Sequence, residues 1–141
     1  MKALIKSFNL TVDFYQRAHS MHWNVVSPMF PMYHDFFDDV YQEVYSSIDT
    51  FAEQIRAVGE VAPSFAKALI DSSLPEQKDT QDATEMVKEL QLCNTYVILS
   101  LNEAFKEASS ASKQGLVNFL ADRIDAHSKL DWMLKSMNAA S

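Results

Sequence analysis

Glycine is scarce in this chain, with two among 141 residues, and four prolines complete its stock of turn formers. A fold of many short strands needs far more of both, so the sandwich and barrel classes are excluded and long helices favoured. Cysteine occurs once, as Cys93, which rules out an intramolecular disulfide and every paired-cysteine metal motif. Neither an apolar run of about 18 residues nor a secretory leader pattern occurs, so the expectation is a soluble cytoplasmic protein. Positive charge is the minority sign: 12 Lys and Arg against 19 Asp and Glu leave a net −7. Phosphate binding is driven by clustered Lys and Arg, so DNA binding is disfavoured and cations are the expected partners. The length fits one domain, residues 1–141, around a single core.

What the chain does have is helical periodicity. From Leu4, the residues Phe8, Val12, Tyr15, Ala18, His19 and His22 recur every three or four positions and define one face of a first helix that delivers His22 near its end. Pro28 and Pro31 interrupt it, so Val25 to Pro31 reads as a loop. A second helix is expected from Met32 to Gly59, with Phe37, Val40, Val44, Ile48, Phe51, Ile55 and Val58 as its core stripe and the glycine as its stop. Glu60 to Lys78 is too long for a tight turn, and "SFAKALIDSS" within it reads as a short crossing helix. Thr80 or Asp82 caps a third long helix, the Ser-rich "ASSASKQG" ends it, and a fourth runs from about Leu116 to Met137. Four long helices with one long crossover predict an all-α fold, a ferritin-like four-helix bundle with a short extra helix between helices two and three.

His34, Asp38, Asp49 and Glu53 fall at about 0°, 40°, 60° and 100° around helix two, so they share one face. Asp38 and Asp49 are nonetheless separated by about 16 Å of helical rise, whereas metal ligands must lie about 2 Å from the ion. One helix cannot close all four around one ion. A second copy laid antiparallel, about a two-fold axis near Glu43 and Val44, brings Asp49 and Glu53 of one chain beside His34 and Asp38 of the other. His22 joins if the proline loop folds helix one back alongside. A single histidine near a helix end is ordinarily structural and a helical acid ordinarily solvated, so spacing alone strengthens the ligand reading only modestly. His19 and His127 read as structural, and Trp23, Met29 and Met32 as packing. The paired Glu-x-x-His motifs of di-iron bundles, HExxH, a P-loop, a dinucleotide fingerprint and a nucleophile elbow are all missing.

The stretches "HWNV" at 22–25, "HDFFDDVYQE" at 34–43, "DTFAEQIRAVG" at 49–59 and "ADRIDAHSKLDWMLKS" at 121–136 resemble the Dps family, the miniferritins named as DNA-binding proteins from starved cells. The resemblance spans nearly the whole chain. It implies a cytoplasmic dodecamer with tetrahedral symmetry, a ferroxidase that oxidises ferrous iron, preferably with hydrogen peroxide, and stores the ferric product as mineral. Carried over by position, it implies iron ligands His22, His34 and Asp38 from one chain and Asp49 and Glu53 from its two-fold partner. It also implies that Trp23 intercepts stray oxidising equivalents beside the site.

Three features depart from the family pattern. Ser27 stands where a glycine is usual, and the segment expected to line an iron-entry pore offers Lys113, Gln114 and Asn118, with Asp122 a turn later. The lysine-rich tail by which some members hold DNA has no counterpart before the helical pattern begins at Leu4. Two rival readings remain at this stage: a non-enzymatic DNA-compacting protein, and a silent bundle whose polar helix face forms only salt bridges.

Overall fold

The computed structural model describes residues 1–138, and among these every regular element is a helix. Helix α1 spans Lys2–Asn24, α2 Phe30–Ala57, α3 Phe65–Asp71, α4 Ala83–Ser110 and α5 Gln114–Asn138. Helix α1 packs against α2, α3 and α4, and α5 lies chiefly on α4. An edge-to-face chain of Phe8, Phe51 and Phe119, with centroids 5.5 and 5.3 Å apart, joins α1, α2 and α5. This is the expected four-helix bundle with one crossover.

One boundary differs from expectation. Pro31 lies in the first turn of α2 rather than in the preceding loop. A first-turn amide has no partner within its helix, so proline costs nothing there and its fixed φ suits the start. The C-terminal end follows the sequence reading more closely. Gly59 adopts φ 94°, its amide donates to the Arg56 carbonyl at 3.0 Å, and Glu60 donates to Ile55 at 3.2 Å. These two bonds close α2 in a Schellman turn. Helix α4 ends the same way with Ser112 at φ 55°, where Lys113 donates to Ala108 at 3.0 Å. The starts of α3 and α4 are capped by Ser64 and Asp82, which accept from the amides of Lys67 and Glu85.

Helix α1 is buried on every side from Ser7 to Phe14, because the crossover and α3 cover the face a simple bundle would leave wet. Its polar residues must therefore find partners inside. Ser7 and Thr11 donate to the carbonyls of Leu4 and Ser7 at 2.8 Å each. Arg17 donates to Asp13 at 3.1 Å and to the Pro75 carbonyl at 2.6 Å, and pairs with Glu89 at 3.4 Å. Ser72 donates to Asp13 at 2.7 Å, and the Lys78 amide to Glu89 at 2.9 Å. Both ends of the crossover thus hang on buried charges from α1 and α4. Cys93 lies in the same cluster, and burial pushes its thiol up to about 11, so it stays protonated at neutral pH.

His127 is 1% exposed and structural, as its sequence setting indicated. Its Nδ1 donates to Asn94 Oδ1 at 2.7 Å, while Asn94 donates back to the His127 carbonyl at 2.9 Å. Burial, followed by the Arg123 charge, pushes its pKa down to about 3. It stays neutral at any physiological pH. Arg123 in turn grips Glu43 of α2 through two bonds of 2.7 and 2.9 Å, tying α5 to the middle of α2.

Candidate metal centre

The site begins where α1 ends and α2 starts. The short connection at Val25–Met29 turns the chain back, and the Val26 amide is held by the Gln81 carbonyl at 2.9 Å. That folding places His22 and His34 face to face, with ring centroids 3.8 Å apart and planes 17° from parallel. His22 Nδ1 lies 2.8 Å from the His34 carbonyl oxygen, and His34 Nδ1 lies 2.7 Å from that of His22. A carbonyl can only accept, so each Nδ1 must carry the proton. In the neutral ring each Nε2 then keeps its lone pair, the state a metal ligand requires.

Asp38 follows His34 by one turn on α2 and is partly buried. The nearby Asp38 carboxylate, and then burial, hold the Tyr41 phenol above its ordinary range. Asp49 and Glu53 are exposed farther along the same face, and Asp49 borders a groove of about 430 Å³ between α2 and α3. Among the described residues, no group of three or more His, Cys, Asp or Glu converges on an ion position within one chain. The fold thus joins the two histidines, keeps Asp38 a turn away, and leaves Asp49 and Glu53 apart, as the axial spacing required. At the proposed two-fold level Val44 is buried and Glu43 is bound to Arg123, so the residues on the ligand face there are Tyr41 and Tyr45.

The sequence reading took His19 as structural and passed over Tyr41. Their rings stack at 3.8 Å and 8° beside the histidine pair, and His22 lies 5.3 Å from Tyr41. Burial and the neighbouring His22 hold His19 below its ordinary pKa. A signal was available: His19 precedes His22 by three residues, and Tyr41 follows His34 by seven, which puts both on the ligand-bearing faces. Trp23 is 64% exposed and lies 4.5 Å from His19. It is therefore an open neighbour of the site and no part of the core.

The ferritin-like domain family model matches residues 1–139. A DNA protection during starvation protein of Brevibacillus brevis is 33% identical over 129 residues, covering 89% of this chain and 85% of the relative. The crystal structure of Dps from Staphylococcus aureus is similar with a TM-score of 0.86 at 28% identity, over 96% of this chain and 94% of that one. A Dps structure from Bacillus brevis reaches a TM-score of 0.88 at 27% identity, over 96% and 91% of the two chains. The fold and these matches define a ferritin-like bundle protein. The chain belongs to the Dps miniferritins within that family, whose members are homo-oligomeric proteins of iron storage and protection. No helix among the described residues is long and apolar enough to cross a membrane.

Proposed function

We propose that this protein is a cytoplasmic ferroxidase that oxidises ferrous iron with hydrogen peroxide at sites shared between two-fold-related subunits, and stores the ferric product inside a twelve-chain shell. The observation that carries this reading is the reciprocal bonding of His22 and His34, which leaves two imidazole Nε2 lone pairs available beside Asp38. Imidazole suits ferrous iron and carboxylates suit ferric iron, so the donor set fits an ion that changes charge during turnover. His22, His34 and Asp38 hold the substrate iron from one protomer, while Asp49 and Glu53 of the partner subunit complete each site. Sparse ligation leaves room for peroxide. Two ferrous ions then supply both electrons, the O–O bond breaks, and two protons give two waters with no hydroxyl radical released. Iron storage becomes peroxide removal.

An anaerobic ferrous titration followed by peroxide, with particle mass measured on the same sample, tests the proposal. Saturable iron uptake, fast absorbance growth on adding peroxide and a mass near twelve chains are expected. A monomer mass, or no absorbance change, overturns it.

A further inference from the structure

Five aromatic rings form a continuous set beside the histidine pair. His19 stacks on Tyr41 at 3.8 Å and touches Trp23 at 4.5 Å, and Tyr15 lies 5.0 Å from Tyr45 and 6.3 Å from Tyr41. Tyr15 has a neutral base placed to take its proton: its hydroxyl lies 2.9 Å from His19 Nδ1. With the phenol as donor, Nδ1 carries a lone pair aimed at that proton. Tyr41 lies between the ligand His22, at 5.3 Å, and this Tyr15–His19 pair.

The ferroxidase reading leaves one chemical hazard. Peroxide takes two electrons, and a site holding a single ferrous ion can give only one. We propose that Tyr15, with His19 as its proton acceptor and Tyr41 as the link to the site, supplies the missing electron when one ferrous ion meets peroxide. This inference rests on the ferroxidase reading of His22 and His34. In the step, the O–O bond breaks and peroxide leaves as two hydroxide ions; one electron comes from ferrous iron, which becomes ferric, and one from Tyr15. The Tyr15 proton moves to His19 Nδ1, leaving a neutral phenoxyl radical hydrogen-bonded to imidazolium. The next ferrous ion returns an electron, the proton goes back to Tyr15, and the pair is reset. Burial favours this arrangement, because it raises the Tyr15 phenol above its ordinary value and so disfavours a phenolate.

The test has two arms, both read by freeze-quench electron paramagnetic resonance on intact assemblies. In the first, the protein is mixed with one ferrous ion per site and peroxide. In the second, iron-free protein is oxidised by a photo-excited ruthenium complex with persulfate. A tyrosyl signal is expected in both arms, lost in Tyr15→Phe and in His19→Phe, and retained in Trp23→Phe. Tyr15→Phe should keep its iron-oxidation rate when two ions per site are supplied. Circular dichroism and particle mass confirm that each variant is folded. If the second arm gives a tyrosyl signal that survives Tyr15→Phe, or only a tryptophan radical, the relay is overturned whatever the iron chemistry. If Tyr15 is oxidised in the second arm but no tyrosyl signal forms in the first, while two ions per site are still oxidised rapidly, the proposed electron supply is overturned and the ferroxidase reading stands; if iron is not oxidised at either loading, the ferroxidase reading falls and this inference with it.

Discussion

His22 and His34 each donate Nδ1–H to the other's backbone carbonyl, at 2.8 and 2.7 Å, although twelve residues and a proline loop separate them. The pairing makes the end of α1 and the start of α2 one rigid unit and fixes both tautomers before any ion arrives. Substituting either histidine therefore removes a proposed ligand and also unlocks the other ring. His34→Ala is expected to slow peroxide-driven iron oxidation by at least about 10- to 100-fold, the scale set by losing a group that orients a ligand. Stopped-flow absorbance on correctly assembled protein checks it.

The Arg123–Glu43 clasp predicts a pH-dependent stability. The double hydrogen bond from Arg123 holds the Glu43 carboxylate below its ordinary value of 4.5. A depressed folded pKa contributes stability above the ordinary value, and that contribution is lost as pH falls through the folded value. Chemical unfolding of wild type and Glu43→Gln should differ at neutral pH, with the variant weaker, and the difference should close in acid. Because the Glu43 side chain is 51% exposed, solvent screens the pair and the gap should be modest.

A third expectation concerns the turn between α4 and α5. Ser112 is the only described residue other than glycine with positive φ, at 55°. An L side chain there costs roughly 1–2 kcal/mol, part of which glycine gives back through its looser unfolded chain. Ser112→Gly should raise the unfolding free energy by about 0.5–1 kcal/mol, measured by denaturant titration. A decrease would show that Ser112 gains more from its surroundings than the backbone conformation costs.

Most of the bundle was legible because its signals are local. Phe37, Val40, Val44, Ile48, Phe51 and Ile55 are all buried as their spacing predicts, and Gly59 stops α2 with the conformation only glycine adopts cheaply. What escaped depended on distant contacts. Asp13 and Arg17 look like ordinary solvated charges until the crossover folds over α1 and buries them with Glu89. The axial distance from Asp38 to Asp49 could be read from residue numbers alone, whereas the His19–Tyr41 stack joins two helices whose relative rotation only packing decides. The face that carries Tyr41 was readable from its spacing to His34; its stacking partner was not.

For DNA, no stable complex is expected at physiological salt. Each chain carries −7, and a shell multiplies that charge, repelling phosphates over a Debye length of about 8 Å. Retention of linear DNA by purified protein near 0.15 M salt, without added divalent ions, would overturn this.

The shared site makes the sharpest prediction. A variant lacking His22 and His34 and a second lacking Asp49 and Glu53 should each be inactive, since either half alone holds iron poorly. Unfolded together and reassembled, they form mixed two-fold dimers. In such a dimer one site receives His22, His34 and Asp38 from the carboxylate variant, and intact Asp49 and Glu53 from the histidine variant. The other site lacks both halves. Random mixing makes half of the dimers mixed, and each mixed dimer has one working site of two, so activity should return to about one quarter of wild type under the symmetry of an isologous contact. Mixed shells of verified mass that stay as inactive as their parents would show that iron is not held between subunits. The exposed positions of Asp49 and Glu53 would then need another explanation.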